Sequence, residues 1–260
     1  MFAQALAKRK YRKGRLEDLP SFPAVVADGL RRLRDPNLPL AEAGETVAAD
    51  PAVSAKVLKM ANSTAFALRH PVRSVPHAAS LLGRGALESL LLGAMVSGAL
   101  PAPAGFDARA FWTRAAKRAL IARAVAKDLA AGAESEAFTL GLLQDMAVLY
   151  LLRSQSDYAR VYEGGAPGLH TREQCAFGYD HATVAGWMAE QWELPANLVQ
   201  GLSEHHSVEP SPSTFVAHIE HAEEEGFLAA ASDTFGVDEA QAKRWWSASE
   251  EAGAMGAMLR

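Results

Sequence analysis

The chain has 260 residues, of which 49% are hydrophobic, and its net charge is −4. This length and hydrophobic content are enough for a substantial buried core, and they exclude an intrinsically disordered chain. The longest apolar stretch, residues 86–100, is interrupted by Glu88, two serines and two glycines, so we expect no membrane span. The N-terminus lacks the apolar segment of a secretory signal, and the single cysteine, Cys175, excludes an internal disulfide. Both features favour a cytoplasmic protein.

One basic segment departs from this acidic balance. Residues 8–15 contain six lysines and arginines. We predict a solvated N-terminal arm over residues 1–15, and the alternative is an arm that contacts nucleic acid, an acidic membrane surface or an acidic partner. The rest of the chain has no net positive charge that would indicate a general nucleic-acid binder.

The first third of the chain has helical periodicity. Val26, Leu30 and Leu33 follow the i, i+4, i+7 spacing of one helix face. Asp50 before a proline is typical of a capped helix start, and Ser74 is expected to cap a short helix that ends at Gly83. The segment 101–105 contains two prolines and a glycine, which end helices. We therefore predict an N-terminal helical lobe over residues 16–104.

Helical spacing continues in the second part of the chain. Asp107 is expected to cap a long helix that ends near Gly132, and a second long helix is expected over 135–153. Asp180 is expected to cap a helix that ends before Pro195. No segment alternates with the period of a strand, so the predicted fold is all-α, with two packed helical lobes. The second lobe is placed at residues 105–225 and a helical extension at 226–260, with the tail after Glu250 frayed.

Histidines are concentrated in the second lobe. Six of the eight lie between residues 170 and 221: His170, His181, His205, His206, His218 and His221. With Asp145 they could meet between helices, where helical bundles often build metal sites. Because His205 and His206 are adjacent at a helix end, only one of them is expected to face a given site. Favourable interaction with helix dipoles, or ordinary core and surface positions, are the alternatives.

Nucleophilic catalysis has little support in the sequence. Cys175 has only Arg172 nearby as a basic group, and we predict a structural role for it. No glycine-rich phosphate loop or G-x-S-x-G nucleophile motif is present.

Several segments together resemble the HDOD domain, a family related to the HD superfamily of metal-dependent phosphohydrolases. In the first lobe they are residues 19–25, 50–53, 57–63, 71–75 and 78–83. In the second lobe they are Phe111-Trp112, residues 141–146 and 181–185, Leu194-Pro195 and His205-His206. The resemblance extends from about residue 16 to about residue 225, and it implies that the second lobe resembles an HD-domain helical bundle.

The resemblance also implies a set of metal-ligand positions, and this chain departs from most of them. Arg114 is aligned with the first histidine of the enzymes, and Gln144-Asp145 with their His-Asp pair. His181 is kept, as is His205 or His206. The late aspartate position is His221 or, with a shift, Glu220. The site is therefore expected to be degenerate, with no catalytic residue and no cofactor.

Physical chemistry supports that interpretation. A guanidinium is always charged and cannot coordinate a metal, and a glutamine amide is a weak ligand. We expect Arg114 to pair with Asp145 in place of a cation, and the alternative is that Arg114 faces solvent because the alignment is one helical turn off. If a metal does bind, iron, manganese or zinc is expected at Asp145, His181, His205, His206 and His221.

Three functions follow from these expectations. The preferred one is a non-catalytic bacterial regulatory module that binds signalling proteins supplied in trans. A residual metal-dependent phosphohydrolase or phosphodiesterase is the second, and a sensor that binds a nucleotide such as a cyclic dinucleotide is the third. The expected partner surface is the groove between the lobes, at Asn62, Ser63, Arg69, Arg73 and Arg84.

Overall fold

The computed structural model describes residues 19, 21, 24–63, 66, 68–163, 167–219 and 222–259. Within these residues the regular structure is helical and contains no strand, which confirms the predicted all-α class. The basic segment 8–15, Glu220 and His221 lie outside the described residues.

The described part of the first lobe has five helices, and two of them start at capping side chains that the sequence indicated. Asp50 Oδ1 accepts hydrogen bonds from the amides of Ala52 (2.8 Å) and Val53 (3.0 Å), and Ser74 Oγ accepts one from His77. Gly83 ends the fourth helix with a φ of 81°, a left-handed backbone that favours glycine. These helices are α1 Ala24–Arg34, α2 Leu40–Ala48, α3 Pro51–Ala61, α4 Val75–Leu82 and α5 Arg84–Ala99.

The second lobe begins with the longest helix, α6, after the predicted break at residues 101–105. Asp107 caps α6 by accepting a hydrogen bond from the Ala110 amide. The described helices of this lobe are α6 Ala108–Leu129, α7 Glu134–Leu143, α8 Met146–Ser154, α9 Tyr158–Tyr162, α10 Leu169–Phe177, α11 His181–Gln191, α12 Ala196–Ser203 and α13 Pro212–His218. One continuous set of buried apolar residues runs from α1 through α12, so the two lobes share a core.

The single helix predicted over 135–153 is divided in two. Helices α7 and α8 are separated at Gln144 and Asp145, and this places Asp145 at a helix junction inside the bundle. The stretch Glu134–Ser154 as a whole is long and apolar enough to cross a membrane, but 83% of its apolar window is buried inside the protein. That burial is typical of a core helix.

The C-terminal extension contains α14 Glu224–Phe235, α15 Glu239–Ser247, a 3₁₀ turn at Ala248–Glu251 and α16 Ala252–Leu259. Helices α14 and α15 pack with α13 and the end of α6 around a second, smaller core. The Trp245 indole Nε1 donates a hydrogen bond to Asp128 of α6 (2.8 Å).

The prediction of a frayed tail after Glu250 is wrong. Helix α16 packs against α6, α3 and α5, and Ala252, Met255 and Leu259 are buried in the main core. Its small residues allow this contact, because a Cβ atom added at Gly256 would lie 2.5 Å from the Thr113 backbone nitrogen. The tail therefore connects both lobes instead of fraying in solvent.

Candidate metal centre

Three histidine side chains converge inside the second lobe. His181 is the first residue of α11, which Asp180 caps through the Thr183 amide (2.8 Å), and His205 and His206 follow the end of α12. His181 Nε2 lies 3.2 Å from His205 Nε2 and 3.0 Å from His206 Nε2. One nitrogen from each ring lies within 4.8 Å of the others, which is the arrangement of a metal-binding group.

Both adjacent histidines reach this cluster, although we expected only one of them to do so. The expectation assumed that they continue a helix, in which neighbours point about 100° apart. Helix α12 ends at Ser203, and His205 and His206 lie in the turn that follows. Their ring centroids lie 4.2 Å apart, and the two ring planes are tilted by 46°.

Asp145 adds one carboxylate to the three imidazoles. Its Oδ1 lies 3.4 Å from His181 Nε2 and 3.7 Å from His205 Nε2. The side chain is 12% exposed, so this carboxylate is held inside the bundle at the α7–α8 junction. The donor set of three imidazole nitrogens and one carboxylate oxygen fits zinc, iron or manganese.

Two of the imidazole rings are held in orientation by hydrogen-bond partners that lie behind them, away from the cluster. His181 Nδ1 lies 2.6 Å from Glu173 Oε2, the same oxygen accepts from the His181 backbone amide, and the Tyr158 hydroxyl donates to Glu173 Oε1. His205 Nδ1 lies 2.8 Å from the Leu202 carbonyl. Carboxylates and carbonyls in these positions hold metal-binding histidines with Nε2 directed at the ion. The Nε2 atoms of His181 and His205 are therefore directed at the cluster.

The protonation of the cluster follows from burial and charge. Burial opposes a charge on His181, but hydrogen bonds with Asp145 and Glu173 raise its pKa to about 10. Burial and then the His181 charge lower the pKa of His205 to about 4, and burial followed by its histidine neighbours also lowers the pKa of His206. Burial would raise the pKa of Asp145, but Arg118, His181 and His205 hold it well below its usual value. The two carboxylates that face His181 thus favour its charged form as long as no metal ion is bound.

The ion pair with Asp145 is made by Arg118, one helical turn after the predicted Arg114. Arg118 Nη2 lies 2.9 Å from Asp145 Oδ2, and Nε donates to the Gly141 carbonyl (3.4 Å). Arg114 lies on the same side of α6, where its Nη2 is 3.3 Å from the Tyr162 hydroxyl. This ion pair thus agrees with a one-turn shift from Arg114 to Arg118, whereas Arg114 is half-buried in the wall of a cavity and does not face solvent as that alternative expected.

Gln144 is buried beside Asp145, with 1% of its surface exposed. Neither its Oε1 nor its Nε2 atom has a hydrogen-bond partner within the described part of the chain. Such a group costs about 1–3 kcal/mol. Gln144 therefore adds no charge and no strong ligand at the position aligned with the histidine of the His-Asp pair.

A cavity of about 190 Å³ opens beside the cluster. Asp145, His181 and His206 form part of its wall, and Arg114, His170 and His218 surround it. His170 stacks on His206 with ring centroids 4.4 Å apart, and His218 is exposed. The wall of the cavity thus carries a guanidinium and several imidazoles.

Three residues of the predicted partner surface make contacts within the protein. The Asn62 amide group bonds to both backbone groups of Val72 (2.7 and 2.8 Å), and the buried Ser63 hydroxyl donates to the Met60 carbonyl. Arg84 donates to the carbonyls of Leu33 and Leu38, which closes the end of α1. Arg69 and Arg73 are exposed, and a role in partner binding remains a prediction for all five residues.

Replacing Arg84 with alanine should reduce the stability of the protein. The free energy of unfolding should fall by about 1–3 kcal/mol, because charged hydrogen bonds to the backbone of the first lobe are lost. Arg73→Ala is the matched control, since this exposed side chain should change stability by less than about 0.5 kcal/mol. Chemical denaturation of both variants measures the difference, and equal midpoints would contradict this role of Arg84.

Comparison with known proteins adds three findings. The family model described as HDOD domain matches residues 19–208. A provisionally named phosphohydrolase from Shewanella amazonensis SB2B is similar in structure, with a TM-score of 0.80, 25% identity and 98% coverage of each chain. A provisionally named signal transduction protein from Marinobacter aquaeolei VT8 has a TM-score of 0.72 at 21% identity, and the match covers 99% of this chain and 65% of that protein.

A curated relative extends the similarity to a longer protein. It is an uncharacterized protein of Treponema pallidum (strain Nichols), 21% identical over 209 residues, which are 77% of this chain. The chain spans only 40% of the length of that relative.

Proposed function

The chain belongs to the HDOD domain family, and we propose that it is a non-catalytic signal-transduction module that binds one divalent metal ion and acts on partner proteins. The ligands of the ion would be Asp145, His181, His205 and His206. The observation that carries the proposal is the cluster of three histidine ring nitrogens inside the bundle, with an Asp145 carboxylate oxygen 3.4 Å from His181 Nε2.

The number of ligands favours a structural role for the ion. Metal sites with four protein ligands are typical of structural centres, whereas catalytic centres keep a position open for water. When bound, the ion would supply Lewis acidity and positive charge. Asp145 and the three histidines would hold it, and Glu173 and Leu202 would keep two of the rings in place.

The contacts of Asp145 also argue against hydrolysis. Arg118 lies at its second oxygen, so the carboxylate has one oxygen left for an ion. Gln144 offers a neutral amide in the adjacent position. A two-ion phosphohydrolase needs ligands for both ions, and these two residues remove ligands from the described site.

The proposal is tested by measuring metal content and turnover on the same preparation. We expect about one iron, manganese or zinc ion per chain by elemental mass spectrometry. We also expect no hydrolysis of a panel of phosphodiesters and nucleotides supplied with manganese, iron or nickel. Metal-dependent turnover that is lost in Asp145→Ala would overturn the non-catalytic assignment. A chain that stays metal-free after incubation with each ion would contradict the metal site.

Glu173 should control metal affinity without contacting the ion. Glu173→Gln keeps the shape but removes the negative charge facing His181, and we expect metal affinity to fall roughly 10–100-fold. Tyr158→Phe is the matched variant, since it removes only the hydrogen bond to the far oxygen of Glu173 and should have a smaller effect. Competition with a chelator of known affinity measures both. Equal affinities of Glu173→Gln and the unaltered chain would contradict this role.

A second candidate is supported by the cavity beside the cluster. Arg114, His170 and His218 could bind an anionic group next to the ion, as in a phosphohydrolase or in a sensor that binds a nucleotide without cleaving it. The 25% identity to the Shewanella protein named for phosphohydrolase activity supports the phosphohydrolase among these two functions. Calorimetry with cyclic dinucleotides, together with the turnover measurements above, distinguishes the two functions. A sensor would bind the nucleotide without cleaving it, whereas a phosphohydrolase would cleave it.

A further inference from the structure

A second cavity, of about 290 Å³, lies where the two lobes meet. Its walls come from α4 and α5 of the first lobe and from α6 and α7 of the second, together with Phe66 and Leu68. Its size is near the lower end of the roughly 300–1,000 Å³ of small-molecule sites. We call it the interlobe cavity. None of the cluster residues Asp145, His181, His205 and His206 lines it.

Arg123 lines the interlobe cavity, and one nitrogen of its guanidinium is buried without a hydrogen-bond partner among the described residues. Nη1 of Arg123 is buried and has no partner among the described residues, while the guanidinium lies over the Phe66 ring at 4.8 Å from its centroid. Burial lowers the pKa of Arg123, and the charge of Glu134 partly offsets this effect. Because Glu134 offsets the cost of burying this guanidinium only in part, a further negative charge would stabilise it, which favours an anion that enters the cavity.

The walls indicate which anion would fit. Phe66, Leu68, Leu82 and Phe138 provide apolar surface, and Leu81 at the edge keeps 54% of its surface exposed. Glu134 lies close to Arg123 and would repel a dianion more strongly than a monoanion. The fitting ligand therefore has one negative charge and an apolar body.

We propose that the interlobe cavity binds a small apolar carboxylate. The carboxylate pairs with Arg123, and the hydrocarbon lies against Leu81, Leu82 and Phe138. Such a ligand would contact helices of both lobes. It would also contact α6, which carries Arg118, and α7, which ends shortly before Asp145 in the chain.

The proposal is tested with octanoate as the probe and octanol as its uncharged counterpart. In a ligand-observed NMR titration of the full chain, we expect saturable octanoate binding with a Kd of about 1 mM or tighter, as ligand-efficiency limits allow for ten heavy atoms. Octanol should bind at least about tenfold more weakly, because it leaves the Arg123 charge unpaired. Equal binding of the two probes, or no saturation, would overturn the proposal.

Two exposed leucines give matched variants that should fold. Leu81→Glu places a negative charge at the edge of the cavity and should weaken octanoate binding at least about tenfold through repulsion and lost apolar contact. Leu129→Glu changes a leucine that is 45% exposed and does not line the cavity, and it should leave binding unchanged. Arg123→Gln, with its fold checked by circular dichroism, should also weaken binding. Octanoate affinity that is the same in Leu81→Glu and Leu129→Glu would place the ligand elsewhere. Metal content is measured separately, so this proposal and the metal site can fail independently.

Discussion

Replacing His181 with alanine is expected to abolish one-to-one metal binding and to destabilise the fold. His181 contributes the central Nε2 of the cluster. The loss of metal affinity should therefore exceed the roughly 10–100-fold loss that is typical when a residue hydrogen-bonded to a metal ligand is replaced. The change also removes the imidazole that faces the fully buried Glu173 carboxylate, and breaking a buried pair typically costs about 3–5 kcal/mol. Elemental mass spectrometry and chemical denaturation measure the two effects.

A second variant separates metal loss from unfolding. His206 is only half-buried, and its ring lies on His170. His206→Ala should therefore reduce metal binding with a smaller effect on the metal-free fold. His70→Ala, an exposed histidine of the first lobe, is the matched control and should bind metal normally. Full metal occupancy in both His181→Ala and His206→Ala would show that the ion is not bound by this cluster.

Replacing Gly256 with alanine should lower stability by about 1–3 kcal/mol, as expected for overpacking. The added methyl group would lie 2.5 Å from the backbone nitrogen and 2.6 Å from the Cα atom of Thr113, and backbone cannot move aside as a side chain can. Helix α16 would therefore move away from α6. Thermal unfolding should show a fall of several degrees in Tm, since each kcal/mol shifts Tm by roughly 2–4 °C in chains of this size.

Gly253 in the same helix is a matched control. A Cβ atom added there meets nothing within 4 Å. Gly253→Ala should leave stability unchanged or raise it slightly, because alanine favours the helix by up to about 1 kcal/mol. If Gly256→Ala and Gly253→Ala had the same Tm, close packing of α16 against α6 would not contribute to stability.

Local signals made much of the fold predictable. Asp50, Ser74, Asp107 and Asp180 each cap the helix predicted for them, because a capping side chain acts on amides two or three residues away. The tail was predicted wrongly because its alanines and glycines were taken as a sign of fraying. Small residues also permit close contacts between helices. Whether Gly256 frays or packs depends on the position of α6, which the sequence does not give.

The candidate site was partly predictable. The sequence indicated that Asp145 and the histidines could converge, and the structure brings Asp145, His181, His205 and His206 together. It did not indicate Glu173 and Tyr158, whose importance depends on how α9 and α10 pack behind α11. Arg118 was missed for a related reason. Motif spacing located the long helix but not which turn of it faces Asp145, and the only available signal was the repeated arginine at 114 and 118.

The core shared by the two lobes limits how a signal could pass between them. Apolar side chains from α1 to α12 form one continuous set, and α16 packs against helices of both lobes. Rotating one lobe against the other would expose this apolar surface to water, at about 25 cal/mol for each Å². A hinge motion about residues 101–105 is therefore costly. Communication across the molecule would have to proceed through small adjustments of packed helices, of the shear type, with the two lobes remaining in contact.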